Sequence, residues 1–175
     1  VKWAVEVSRL QDLPRIVRRA AKIAMTPPMG PVFISLPGDI LNEEDALELG
    51  SRTRIQTKVC PTEETLNAPA DRIIDAKNPV ILAGHEIATD RAFEEAANLA
   101  DVIGCAVYQQ TVQYGAHFKS THPCFMGALS RDQQQVRDVL SPYDLLIVLG
   151  ADVLRMSVWA PVEPLPEGMP IIQIG

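Results

Sequence analysis

Residues 12–25 carry apolar side chains at helical spacing. Leu13, Ile16, Val17, Ala20 and Ile23 share one side, while Arg15, Arg18, Arg19 and Lys22 occupy the others. Asp12 and Pro14 suit the first turn of a helix here, and Pro27-Pro28 forbids its continuation. Gly30-Pro31 then leads into Val32-Phe33-Ile34-Ser35-Leu36, a short β-rich run closed by Pro37-Gly38-Asp39. From Ile40 to about Pro61 the apolar rhythm fades, and acidic residues give way to Ser51-Arg52-Thr53-Arg54. That composition suits an interdomain linker. The pattern predicts three parts: residues 1–40 as a fragment of an α/β unit, 41–61 as a linker, and 62–175 as a second domain.

Beyond the linker the rhythm is regular. Residues 63–76 read as a helix that Pro69 breaks in two or restarts. Pro79-Val80-Ile81-Leu82-Ala83-Gly84 predicts a buried strand ending in a glycine turn. Residues 90–103 give the clearest helix, with Phe93, Ala96, Ala97, Ala100 and Ile103 on one side. Cys105-Ala106-Val107-Tyr108 reads as a strand and 131–140 as a helix; Leu145 to Gly150 and Pro170 to Ile174 read as two further strands. Strands that are apolar throughout, alternating with helices, imply a parallel sheet covered on both faces. Right-handed crossovers make the expected fold class α/β, a doubly wound, mostly parallel Rossmann-like sheet.

Composition narrows the function classes. A hydrophobic content of 47% predicts a well-buried core, and 175 residues hold one ordinary domain plus part of a neighbour. The net charge of −6 argues against a nucleic-acid partner, whose phosphates attract clustered Lys and Arg. No apolar stretch approaches the roughly 20 residues that span a bilayer, so no membrane partner is expected, and no secretory signal is visible. Cys60, Cys105 and Cys124 are few and widely spaced, as reduced thiols in a cytoplasmic protein are. The chain opens on Val1 and stops at Gly175 straight after an apolar run, so it is expected to be an internal piece of a longer polypeptide, its second domain truncated at the C-terminal end.

Candidate chemistry is sparse. The turn at Ala83-Gly84-His85-Glu86 sits at a strand's carboxyl end, where a nucleotide-binding fold holds phosphate. The GxGxxG fingerprint is missing, so a plain strand-to-helix turn is favoured; Leu149-Gly150-Ala151-Asp152 is similar. His117, His122 and Cys124 lie close in sequence, but their spacing matches no standard zinc pattern and no fourth ligand is evident, so no metal is assigned; loop histidines with local hydrogen bonds are expected. Ser35, Ser130, Ser141 and Ser157 lie in no nucleophile elbow. Acidic pairs such as Glu63-Glu64 and Glu94-Glu95 read as helix starts or solvated faces, and Trp3 and Trp159 as packing residues.

The order of segments carries a resemblance. Val1-Lys2-Trp3, the helix of residues 12–25, and Gly30 to Asp39 look like the end of the pyrimidine-binding domain in thiamine-diphosphate enzymes of the acetolactate synthase and benzoylformate decarboxylase group. Ala76 to Gly84 is similar to the first strand of their middle domain. His122-Pro123-Cys124-Phe125-Met126-Gly127 and Tyr143 to Ala151 also match in order and spacing. The resemblance implies a thiamine-diphosphate- and Mg²⁺-dependent lyase or transferase as the parent protein, resembling benzoylformate decarboxylase within the group. The parent would be a homo-oligomer in which this chain contacts flanking pyrimidine- and diphosphate-binding domains.

The same resemblance implies that the cofactor-gripping groups lie outside this region, so no catalytic residue and no bound cofactor are expected here. Pro37-Gly38-Asp39 is only an accidental look-alike of the family's Gly-Asp-Gly motif. After Gly150-Ala151-Asp152-Val153-Leu154-Arg155 the decarboxylase has an active-site histidine two positions beyond the arginine, where this chain has Ser157. A serine hydroxyl titrates far from neutral pH and cannot replace imidazole as a proton carrier. The implied parent is therefore a related 2-oxo acid decarboxylase or carboligase, with Arg155, Met156 and Ser157 as substrate-side candidates. Some relatives hold FAD or ADP in the middle domain; the missing second glycine disfavours FAD here. The alternative is a nucleotide-binding module, with Gly84 and Gly150 as its turns, and a third reading is a pure assembly module.

Overall fold

The computed structural model describes residues 1–51, 60–111 and 115–175, and within them the chain separates into two compact units, Val1–Cys60 and Pro61–Gly175. In the first unit, β1 (Trp3–Glu6) pairs in parallel with β2 (Val32–Ser35), and α1 (Leu13–Met25) connects them after a 3₁₀ turn at Leu10–Asp12. The Lys2 ammonium reaches the carbonyls of Ile23 and Thr26 at the α1 C-terminus, where a cation complements the helix dipole. The Arg19 guanidinium stands 5.3 Å over the Trp3 ring. Pro37-Gly38-Asp39 does not merely close a strand: Gly38–Leu41 forms the four-residue helix α2, with Ile40 buried beneath it. Of the basic linker run, Arg52, Thr53 and Arg54 fall outside the described residues.

The second unit contains α3 (Glu63–Asp75), β3 (Pro79–Ala83), α4 (His85–Thr89), α5 (Phe93–Ile103), β4 (Ala106–Gln109), β5 (Phe125–Ala128), α6 (Gln133–Leu140), β6 (Leu145–Leu149) and β7 (Ile171–Ile174). Its sheet has the order β5-β4-β3-β6-β7, and every pairing is parallel. The expected doubly wound α/β sheet is therefore present. The two central strands explain why. All five residues of β3 and all five of β6 are buried, and strand alternation sends them to two different layers. Ile81, Ala83, Leu145, Ile147 and Leu149 face Ala96, Ala97 and Ala100 of α5; Val80, Leu82, Leu146 and Val148 face Val136 and Leu140 of α6. The alanine row lets α5 approach the sheet closely, and each wholly buried aliphatic side chain contributes about 1.5–3 kcal/mol.

Helix ends follow their sequence signals. The Thr62 hydroxyl and the Asp132 carboxylate cap α3 and α6 by accepting from Thr65 N and Gln135 N, and Gly104 ends α5 at φ +70°. At the amino ends of the central strands, the Asp144 carboxylate accepts from the amides of Lys77 (2.7 Å) and Asn78 (2.9 Å), while Asn78 Nδ2 donates to Pro142 O. Those amide donors hold the Asp144 carboxyl below the usual carboxylate range.

Several expectations need correction. Pro69 does not break α3, which runs unbroken from Glu63 to Asp75. The helix has no buried residue, so water can satisfy the Thr65 carbonyl that Pro69 leaves without a donor. The helix expected from residue 90 begins at Phe93, and the separate helix α4 precedes it. Strands β1 and β5 were not predicted. Each has only one partner in its sheet and alternates half-buried with exposed positions, so neither shows the continuous apolar run of β3 and β6.

Candidate functional site

In a parallel sheet all carboxyl ends lie along one edge, and ligands of such folds bind in the crevice where the winding reverses. Here the chain winds outward from β3 through β4 to β5, then returns to β6 and β7, so the reversal lies between β3 and β6. The turns beyond them are Gly84-His85 and Gly150-Ala151. They close on each other: Gly84 N donates to Leu149 O at 2.8 Å and Glu86 N to Gly150 O at 3.1 Å. A Cβ on Gly84 would lie 2.1 Å from Gly150 O and 2.2 Å from Ala151 Cα. Both glycines are required by the contact between the two turns. An amide that would meet a phosphate is already bonded, α4 is only five residues long, and the Glu86 side chain packs against Gly150. This arrangement does not fit a nucleotide diphosphate.

Next to the sealed reversal, the carboxyl end of β4 is polar inside. Among the described residues the buried polar side chains are Gln109, Gln110, Thr111 and His117. Gln109 ties the following loop to the sheet: Nε2 donates to Gly115 O at 2.9 Å and Oε1 accepts from His117 N at 3.4 Å. Gln110 N donates to Ala83 O, anchoring the segment over β3. The His117 ring is 1% exposed, lies 6.4 Å from the His85 ring, and among the described residues has no hydrogen-bond partner at either nitrogen. Burial first, and then His85, push its pKa down, so it is held neutral. The expectation of local hydrogen bonds thus does not describe the His117 ring. It does describe His122, whose Nδ1 accepts from Cys124 N at 3.3 Å and whose Nε2 lies 3.3 Å from Asp101 Oδ1. Sequence reading ended the strand at Tyr108 and missed the polar run Gln109-Gln110-Thr111; three polar residues directly after a buried strand were the available signal.

The loop after β6 brings Arg155, Met156 and Ser157 to this same edge. Thr111 Oγ1 donates to Arg155 O at 2.9 Å, which joins the loop to the end of β4. On its other side, Ser157 N and Val158 N both donate to Arg131 O at 3.1 Å, and Val158 bridges Asp132. Arg155 Nε pairs with Asp152 Oδ2 at 3.2 Å. Met156 packs against the Val80–Leu146 side of the core, while Arg155, Ser157 and Trp159 are exposed. A guanidinium and a hydroxyl on a loop fixed from both sides can bind and orient an anionic group.

Comparison with known proteins gives this edge its context. Residues 66–175 match the family model for the thiamine pyrophosphate enzyme central domain. The chain belongs to that family. It is 28% identical to benzoylformate decarboxylase of Pseudomonas aeruginosa, across 99% of this chain and 33% of that protein. It is 24% identical to acetolactate synthase of Bacillus subtilis, across 88% of this chain and 27% of that protein. Among solved structures, benzoylformate decarboxylase from Polynucleobacter necessarius superposes with a TM-score of 0.88 at 32% identity, covering 99% of this chain and 32% of that one. A protein of Mycobacterium smegmatis described as thiamin diphosphate-dependent gives 0.88 at 35% identity, covering 99% and 33%. The chain therefore spans about a third of the length of these relatives.

Whether the residues present fit thiamine diphosphate can be tested on the look-alike Pro37-Gly38-Asp39. Asp39 is exposed in the first turn of the four-residue helix α2 and is followed by the buried Ile40. This is no cradle for a Mg²⁺-bridged diphosphate, which demands near-ideal octahedral oxygen geometry. These residues do not fit the cofactor, and no chemical step is assigned to them.

Proposed function

We propose that this chain is part of a thiamine-diphosphate-dependent 2-oxo acid decarboxylase or carboligase, a lyase or transferase whose Mg²⁺-linked cofactor is held by domains outside it. Residues 62–175 serve as the middle domain, structural and not catalytic alone; residues 1–40 belong to the preceding pyrimidine-binding domain, with 41–61 as the linker. The observation that carries this reading is the superposition on benzoylformate decarboxylase over 99% of the chain at a TM-score of 0.88. In the parent protein the flanking domains are this chain's partners, and the parent is a homo-oligomer of the cytoplasm. Free Cys60, Cys105 and Cys124 are in keeping with that compartment, and no described helix is long and apolar enough to cross a membrane.

Arg155, Met156 and Ser157 are the residues that face substrate in this proposal. Arg155 offers a fixed cation to a carboxylate, Met156 anchors the loop to the core, and Ser157 offers a hydroxyl that can hold a hydrogen bond but not carry a proton near neutral pH. Ser157 is the reason for assigning a related 2-oxo acid reaction and not benzoylformate decarboxylation itself. The middle domain is assigned no FAD or ADP, because the turns at Gly84 and Gly150 close on one another.

Two measurements test the reading. Calorimetry on the 175-residue chain should show no saturable binding of thiamine diphosphate with Mg²⁺, whereas the full-length protein should bind it and turn over a 2-oxo acid; tight binding by the chain alone overturns the assignment. A thermal-shift screen with FAD, ADP and NAD addresses the nucleotide-binding alternative, since a ligand at 100 times its Kd stabilises by about 2.7 kcal/mol. A shift of that size with any of them would replace the structural role by a nucleotide-holding one.

A further inference from the structure

Away from the carboxyl edge, three side chains of metal-ligating type converge where the last turn of α5 meets the start of β5. Ligand atoms of Asp101, His122 and Cys124 all lie within 4.8 Å of one another. The grouping suggested by sequence, His117 with His122 and Cys124, is not the one the fold makes: the His117 ring sits beside His85, and α5 brings in Asp101 instead. His122 is 9% exposed, and Asp101 is 61% exposed. Asp101 Oδ1 and His122 Nε2 stand 3.3 Å apart. Two ligands held about 2.1 Å from one tetrahedral ion are separated by about 3.4 Å, so this pair already has ligand spacing. The Cys124 sulfur needs to close by at most about 1.2 Å to reach the about 3.6 Å that a nitrogen–sulfur pair on zinc requires.

We propose that Asp101, His122 and Cys124 form a binding site for a borderline-soft divalent cation of the Zn²⁺ type, with a fourth position open to water on the exposed side of Asp101. The donor set decides the class of ion. A thiolate and an imidazole suit Zn²⁺ and disfavour Mg²⁺ and Ca²⁺, which take oxygen ligands. Asp101 lies in the last turn of the eleven-residue α5, whose free carbonyls favour a cation. The described cluster supplies three protein ligands, and the buried Cys105 is not one of them. On binding, the Cys124 thiol loses its proton to solvent as the sulfur–metal bond forms. The proton on His122 Nε2 moves to Nδ1, giving up the 3.3 Å contact with Cys124 N. One proton is thus released per ion, and affinity rises with pH. The ion would pin α5 to the edge strand β5, at the opposite end of the sheet from Arg155. This site does not depend on the proposed function.

The experiment uses the native full-length protein, reduced and metal-stripped, titrated with Co²⁺ and then Zn²⁺. The expected result is a thiolate-to-cobalt charge-transfer band that Zn²⁺ abolishes and Mg²⁺ does not, with one proton released per ion. Cys124→Ala should remove the band, and so should the near-isosteric Cys124→Ser, which keeps the test intact where alanine compromises folding. Asp101→Asn should weaken binding by at least the about 10–100-fold that loss of a ligand's hydrogen-bond partner costs. Cys105→Ala should keep the band. Folded wild-type protein without the band, or a band that survives Cys124→Ala, overturns the proposal.

Discussion

Replacing Gly84 by alanine gives opposite signs for an open and a closed crevice between β3 and β6. Gly84 has φ −120° and ψ −177°, extended backbone that alanine adopts freely. In an open crevice the substitution would restrict the unfolded chain and stabilise by about 0.4–1 kcal/mol. Instead the added methyl would lie 2.1 Å from Gly150 O, 2.2 Å from Ala151 Cα and 2.4 Å from Ala151 Cβ. Two of these are backbone atoms, so no rotamer change relieves the overlap and the two strand ends must part by more than about 1 Å to regain ordinary contact. Parting breaks the bonds from Gly84 N to Leu149 O and from Glu86 N to Gly150 O, worth about 0.5–1.5 kcal/mol each. Overpacking adds about 1–3 kcal/mol. The sum is a loss of about 2–6 kcal/mol. Urea denaturation followed by circular dichroism reads it directly as a drop in midpoint. Gly104→Ala is the comparison: its methyl meets open space, but φ +70° imposes a left-handed penalty of about 1–2 kcal/mol. If Gly84→Ala is as stable as the parent or more so, the crevice is open and the argument against a nucleotide there fails.

Other outcomes follow from buried and titrating groups. His117 has its pKa lowered in the folded state, so below about pH 6.5 the unfolded chain binds a proton that the folded one refuses. Stability is therefore full above that pH and falls as pH drops, and His117→Leu should flatten the fall; an unchanged slope between pH 5 and 8 refutes it. Asp144 is lowered by its amide donors, so its contribution is present above about pH 3.9 and lost as pH falls through the folded value. Asp144→Asn should lower the Tm at pH 7, with the difference shrinking on acidification; equal Tm values at pH 7 would refute the clasp. Ile147→Ala empties a site at 0% exposure between two layers and should destabilise by about 2–5 kcal/mol in urea titration. In the full-length enzyme, Ser157→His should add an ionisation near about pH 6.5 to the pH–rate profile of 2-oxo acid turnover, and an unaltered profile argues against a substrate-side position.

What the sequence revealed depended on where the stabilising partners lie. The central strands β3 and β6 were legible because burial on both faces forces unbroken apolar runs, Val80 to Ala83 and Leu145 to Leu149. Edge strand β5 was not, because its residues alternate half-buried with exposed and its pairing with β4 shifts register between Val107 and Tyr108. Pro69 misled because the penalty it implies assumes a carbonyl without water, whereas α3 is solvated. The motifs Ala76 to Gly84 and Tyr143 to Ala151 were read as separate pieces of resemblance. Folded, they are joined at one end by Asp144 to Lys77 and Asn78, and at the other by Gly84 N to Leu149 O. Such pairings span dozens of residues, and no local pattern announces them. The same holds for Asp101, which sequence spacing alone could not place beside His122 and Cys124.

Within the function proposed for this chain, the backbone favours the loop after β6 over the glycine turns as the substrate-side segment. Among the described residues two non-glycine positions have positive φ, Arg91 at +58° and Leu154 at +53°. Arg91 has a local cause: it closes the turn out of α4, with Ala92 N donating back to Ile87 O at 2.8 Å. Leu154 lies in irregular chain, and its conformation costs about 1–2 kcal/mol. It is imposed from outside, by Thr111 on Arg155 O, by Arg131 on the amides of Ser157 and Val158, and by the packing of Leu154 and Met156 on the core. Backbone strain that surroundings over-determine clusters at ligand contacts, where it fixes a group before the ligand arrives. The glycine turns show the reverse, an unstrained Gly84 and amides already bonded across the reversal. An anion that approaches the reversal meets the Glu86 carboxylate, whereas one that approaches the loop meets the Arg155 guanidinium beside Asp152, on backbone fixed from both sides.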